Sequence, residues 1–117
     1  MYCRHNHSNI AFMVEILTDA NFDEKILQSG KLAVVDLSAE WCGPCRMVSP
    51  IIHELAEEYK DRLVVGELNV DDNPATTALY KVRNIPTVLF IKNGELVDKQ
   101  VGAVPKASYK TLIEKHI

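Results

Sequence analysis

Several things are scarce in this chain, and each scarcity narrows what it can be. Its apolar runs fall well short of the roughly 20 residues that cross a bilayer as a helix, so no membrane span and no membrane partner are expected. The formal net charge is -3, without the basic excess that phosphate-backbone binding calls for, which argues against a nucleic-acid partner. Cysteine is limited to three residues, too few for a structural disulfide framework, and there is no second CxxC and no HxxxH. An export signal would show a basic start and an unbroken apolar stretch of roughly 7–15 residues. Residues 1–9 are instead polar, and Ile10-Ala11-Phe12-Met13-Val14 stops at Glu15, so none is read there. Repeats, linkers and low-complexity segments are lacking as well.

What is present fits one compact domain. The chain has 117 residues, 47% of them hydrophobic and 25% charged, enough for a single core. Patterned sequence begins at Met13, a candidate alternative start. Residues 1–12 are therefore expected to be a flexible extension or processing remnant, and residues 13–117 the domain. With no export signal, the expected compartment is a reducing cytoplasm. There a close cysteine pair is more often catalytic or metal-binding than a structural staple.

Apolar periodicity sets out the elements. Val14 to Leu17 reads as a short edge strand, followed by cap candidates in Thr18-Asp19-Ala20-Asn21 and by Phe22, Ile26 and Leu27 at helical spacing. Ser29-Gly30 closes that helix. Leu32-Ala33-Val34-Val35-Asp36-Leu37 is an almost unbroken apolar run, as in a central strand covered on both faces, with one acid in it. Residues 47–59 then carry Val48, Ile51, Ile52, Leu55 and Tyr59 on one helical face, with Pro50 expected to kink the helix. A strand over 63–70 precedes Asp72-Asn73-Pro74, which reads as a helix start capped by Asn73. Strands over 87–91 and 95–101 flank Asn93-Gly94, a type I′ hairpin signal. Pro105 opens a last helix with Tyr109, Leu112 and Ile113 on one face. The order is β-α-β-α-β-α-β-β-α, an α/β domain whose mixed sheet has helices on both faces.

The chemistry concentrates in Trp41-Cys42-Gly43-Pro44-Cys45-Arg46, where the central strand gives way to the long helix. A helix start offers unsatisfied N–H groups and the positive end of a dipole, and both stabilise a thiolate. That placement points to redox chemistry. A structural disulfide and half a zinc site are the alternatives. Zinc needs four ligands, and only Cys3, His5, His7, His53 and His116 remain to supply the rest. Cys3, His5 and His7 could also be read as a metal-binding tail, though scattered histidines in a polar extension are more often inert. His53, Glu57-Glu58 and Asp71-Asp72 read as solvated surface and helix-cap residues.

Taken together and in this order, Asp36, Trp41-Cys42-Gly43-Pro44-Cys45, Pro50, Ile85-Pro86-Thr87 and Gly102 make the chain resemble the thioredoxin family from about Met13 to the C-terminus. The resemblance implies a five-stranded mixed sheet in the order β1-β3-β2-β4-β5, flanked by four helices, with the site at the C-terminal end of β2. It implies a cis peptide before Pro86 and a monomer that reduces protein disulfides with no bound cofactor. Electrons then come from NADPH through a thioredoxin reductase.

Within that resemblance the residues take roles. Cys42, nearer the free end of the turn, is expected to be the exposed nucleophile and Cys45 the resolving thiol. Gly43 and Pro44 tune the thiolate, and in the family this dipeptide goes with a reductant. A lone acid in an apolar strand costs several kcal/mol if charged and unpaired, so Asp36 is expected protonated and able to act as base for Cys45. The competing placement for Asp36 is a solvent-facing strand end. Many bacterial members carry Lys beside this acid, where Glu67 stands here, and often Trp where Ser38 stands; animal members have Glu and Ser. A second carboxylate at Glu67 would raise the proton affinity of Asp36 further, which makes it a redox-tuning residue. Trp41, Ile85, Pro86, Gly102 and Ala103 are expected to form the substrate-facing surface, with the Ile85 backbone pairing an extended substrate like an added strand. An oxidant or isomerase of an oxidising compartment and a non-catalytic binding subunit are the competing functions.

Overall fold

The computed structural model describes residues 13–117. The tail carrying Cys3, His5 and His7, and most of the expected extension, lies outside the described residues. Five strands form one sheet in the order β1-β3-β2-β4-β5: β1 Val14–Leu17, β2 Leu32–Ser38, β3 Leu63–Asn69, β4 Thr87–Lys92 and β5 Glu95–Val101. β2 runs parallel to β3, which is parallel to β1, whereas β4 is antiparallel to both β2 and β5. This is the order the family resemblance implied.

β2 is buried at every position but its last, as a nearly unbroken apolar run requires. Its alternation divides the core in two. Leu32 and Val34 join Val65, Val88 and Phe90 beneath Val48, Ile52 and Leu55 of the long helix α2 (Cys45–Tyr59) and Tyr109 and Ile113 of α4 (Lys106–His116). Ala33, Val35 and Leu37 join Leu68, Leu89 and Ile91 on the other face, against Phe22 and Ile26. Asp36 has the parity of Val34 and so belongs to the α2 side. Pro50 sits within α2 without ending it, removing only the N–H that would have reached the Arg46 carbonyl. Asn93 and Gly94 have φ of 54° and 80°, the pair of positive values that the hairpin reading demanded.

Two local expectations are corrected. The helix expected after β1 is a single five-residue π-type turn, α1 (Asp23–Leu27), in which the Gln28 N–H bonds to the Asp23 carbonyl at 3.1 Å. Its cap candidates are used elsewhere. The Thr18 N–H donates to Asn21 Oδ1 at 2.8 Å and the Asn21 N–H to Thr18 Oγ1 at 3.1 Å, which closes the loop on itself.

Asp19 supplies the second correction. The short helix α3 (Pro74–Leu79) has Asn73 at its N-cap position, but the Asn73 side chain does not cap it. The Asp19 carboxylate does, accepting the Ala75 N–H at 3.1 Å and the Thr76 N–H at 2.8 Å. Asn73 Oδ1 in return accepts the Asp19 N–H at 2.9 Å, and its amide donates to the Asn69 carbonyl at 3.0 Å. Asn73 therefore positions the residue that caps α3.

Gly66, in the middle of β3, marks a close approach. A Cβ built there would stand 2.5 Å from Leu17 Cδ1 and 2.7 Å from Leu17 Cγ, and Leu17 is itself buried. No helix among the described residues is long and apolar enough to cross a membrane.

Candidate active site

β2 ends at Ser38 and α2 begins at Cys45, so the segment between them is a turn at the C-terminal edge of the sheet. Gly43 and Pro44 form its last part, and Pro44 occupies the N-cap position with helical dihedrals. A proline there loses no hydrogen bond and presets the helical φ. The Arg46 N–H bonds the Gly43 carbonyl at 3.0 Å and the Met47 N–H the Pro44 carbonyl at 3.1 Å. The Cys45 N–H donates instead to Cys42 Sγ, at 3.2 Å. Cys42 and Cys45 are joined as a disulfide with their Cα atoms 5.4 Å apart.

Both sulfurs belong to residues that are only 4% exposed, so the expectation of an exposed Cys42 is corrected. The disulfide is packed with Ala39, with Val70 and Ile85 closing over it, and in this oxidised form the two cysteines are covered equally. Access to one sulfur before the other is not decided by burial of the closed pair. The N–H directed at Cys42 is what distinguishes them.

Around the pair, Trp41 is 70% exposed, and its indole N–H donates to Asp71 Oδ2 at 2.8 Å. Asp71 was read as solvated surface; it is in fact the group that orients the aromatic ring beside the cysteines. Ile85 is half-buried, Gly102 likewise, and Ala103 is exposed. The Ile85–Pro86 peptide is cis. Pro86 is buried, which corrects its expected place on the surface, and its carbonyl accepts the Gly102 N–H at 2.8 Å. That bond ties the start of β4 to the end of β5. Gly102 has φ of 90°, a conformation that a side chain at this position would strain.

Asp36 is wholly buried, and neither carboxylate oxygen has a hydrogen-bond partner among the described residues. Burial pushes its pKa up to about 7, with the neighbouring Glu67 charge adding to the effect. The placement at a solvent-facing strand end is thereby excluded. Glu67 is its register partner on β3. Glu67 Oε2 accepts the Ser49 hydroxyl at 2.6 Å, and Oε1 lies 3.3 Å from His53 Nε2. Ser49 and His53 stand four residues apart on α2, one above the other. Neither had been assigned to the site, although their helical spacing after Cys45 was visible in the sequence. An open cavity of about 710 Å³ is lined by Cys45, Arg46, Ser49 and Glu67, together with Ser38 and Asn69. Among the described residues, no group of three or more His, Cys, Asp or Glu could hold a metal ion.

Comparison with known proteins agrees with this geometry. The family model described as Thioredoxin matches residues 13–115. The chain is 49% identical over 100 residues to Thioredoxin 2 of Chlorobaculum tepidum, covering 86% of this chain and 92% of that one. It is 47% identical over 100 residues to a thioredoxin of Chlorobaculum thiosulfatiphilum, covering 86% and 93%. It is 48% identical over 104 residues to the chloroplastic M-type thioredoxin of Pisum sativum, covering 89% of this chain and 60% of that one. A disulfide at the head of α2, the shared sheet order and relatives nearly half identical lead to one assignment: the chain belongs to the thioredoxin family.

Proposed function

We propose that the chain, a thiol–disulfide oxidoreductase, serves as a protein-disulfide reductase in which Cys42 attacks and Cys45 resolves. The observation that carries this order is the Cys45 N–H aimed at Cys42 Sγ from the first turn of α2. After reduction the same donor and the helix dipole favour a thiolate on Cys42. That thiolate attacks one sulfur of a substrate disulfide, displaces the other as a thiolate, and leaves a mixed disulfide. Cys45, deprotonated, then attacks Cys42 Sγ and expels the second substrate thiolate. Two electrons have passed to the substrate, and the Cys42–Cys45 bond is restored.

Asp36 is the base that takes the Cys45 proton, directly or across one water. A carboxyl whose pKa is near 7 can both accept and return a proton at neutral pH. Trp41, Ile85, Gly102 and Ala103 receive the substrate. In support, the Ile85 backbone groups bond to no described residue, so they are open to an added extended segment. NADPH, through a thioredoxin reductase, returns the electrons. The expected compartment is reducing, with the cytoplasm the direct reading and an organelle like that of the pea relative its competitor.

The test is turnover of an accessible protein disulfide with NADPH and a thioredoxin reductase. Cys42→Ser should abolish it. Cys45→Ser should accumulate a substrate mixed disulfide on Cys42, visible by mass spectrometry. Full turnover by the first variant, or no adduct with the second, overturns the assignment.

A further inference from the structure

We propose that His53, acting through Glu67, is a positioning residue that sets the proton affinity of Asp36. The inference deepens the reading of Asp36 as the base for Cys45 and rests on it. The geometry is a short chain of three ionisable side chains running from solvent into the core. His53, with its side chain 42% exposed, meets Glu67 Oε1 at 3.3 Å. Glu67, with its side chain 21% exposed, is the register partner of Asp36 on the neighbouring parallel strand. Asp36 is wholly enclosed and makes no hydrogen bond. A charge change at the surface histidine therefore has one carboxylate between it and the buried acid.

The surroundings leave few competitors for this role. Toward β1 the register partner of Glu67 is Ile16, which carries no charge. From α2 come Ser49, whose hydroxyl holds Glu67 Oε2, and His53 itself, with Glu57 one turn further along the same helix. Arg46 and Glu40 line the mouth of the shared cavity, where the Arg46 guanidinium donates to the Glu40 carbonyl at 3.3 Å. On the Asp36 side the β4 neighbour is Val88, and Tyr109 of α4 packs in the same core layer. Among these groups, His53 is the cation in contact with the Glu67 carboxylate and the one that gains or loses charge near neutrality.

The sign follows from the charges. An uncompensated Glu67 carboxylate opposes ionisation of Asp36. A proton on His53 offsets that carboxylate and makes Asp36 easier to ionise, while neutral His53 leaves the opposition in place. Ser49 fixes the carboxylate orientation so that one oxygen is presented to the ring. The same pair sets how readily Asp36 takes the proton of Cys45.

The experiment follows the Asp36 carboxyl resonance against pH by carbon NMR in the oxidised, full-length protein. His53→Gln should raise the Asp36 midpoint by roughly 0.3–0.5 pH units, a two- to threefold change in proton affinity. His53→Lys, which keeps a positive charge, should move it the other way. In a Glu67→Gln background the effect of His53→Gln should vanish. An unmoved midpoint in His53→Gln, or a shift that persists at full size without Glu67, overturns the proposal. The midpoint is read whether or not Asp36 is the base. That assignment is decided separately, by whether Asp36→Asn slows release of substrate from the mixed disulfide.

Discussion

Asp36 and Glu67 are register partners on adjacent parallel strands, so a carboxyl without a hydrogen-bond partner is held beside a second carboxyl inside the sheet. The arrangement opposes ionisation and therefore opposes folding at neutral pH. Unfolded, Asp36 ionises as an ordinary carboxyl near 3.8; folded, burial above all, with Glu67 second, holds its pKa at about 7. Between those values the folded protein retains a proton that the unfolded chain has released. Stability therefore falls as pH rises through this window, and the full penalty is present above pH 7. At about 1.4 kcal/mol per tenfold in proton affinity, the penalty is on the order of 4 kcal/mol. Asp36→Ala should therefore stabilise the protein by roughly 2–4 kcal/mol at pH 8, after the small cavity it leaves is discounted. It should give no gain near pH 4. Urea midpoints at the two pH values check this, and an equal displacement at both would sink it.

Gly66 supports a packing prediction. Leu17 faces it at a distance no Cβ tolerates and is 1% exposed, so it has nowhere to swing. Gly66→Ala should cost about 1–3 kcal/mol, through overpacking between β1 and β3. In the double variant with Leu17→Ala, that methyl should become nearly neutral relative to Leu17→Ala alone. Denaturation curves for the four proteins of this cycle measure the coupling; additive losses would show that the two residues do not contend for the same space.

The clasp between Asp19 and α3 makes a local prediction. Asp19→Ala should speed hydrogen exchange at the Ala75 and Thr76 amides, with Asn in its place giving an intermediate effect because one acceptor survives. Hydrogen bonds from Thr76 hold the Asp19 carboxyl below the usual carboxylate range. Its contribution is accordingly present above the ordinary carboxyl pKa and is lost as pH falls through the lowered one. Unchanged exchange at both amides in the Ala variant would remove Asp19 from the role.

Most of the sheet and the cysteine site could be read from the chain because their causes are local. The apolar run Leu32–Leu37, the Asn93-Gly94 turn and a cysteine pair at a strand-to-helix junction each depend on neighbours in sequence. What escaped depends on distant partners. Asn73 has the right residue type for a cap, yet Asp19 takes the position from 56 residues away, which no local rule anticipates. Cap residues at Thr18 and Asn21 promised a full helix and instead closed a loop, leaving one π-type turn. His53 and Asp71 looked like ordinary surface charges until β3 and Trp41 were brought beside them. Cys42 was expected to be exposed because a turn usually is; Val70 and Ile85, from two other parts of the chain, cover it.

The bond from the Cys45 N–H to Cys42 Sγ has a consequence for recognition. A backbone donor already in place when the sulfurs are joined needs little rearrangement to stabilise a sulfur that carries charge. The two redox forms can then share nearly the same outline, and interconversion carries little reorganisation. Partners that must tell the spent protein from the charged one are left to sense a negative sulfur and its proton inventory, since the surface around Trp41 offers them almost the same shape in either case.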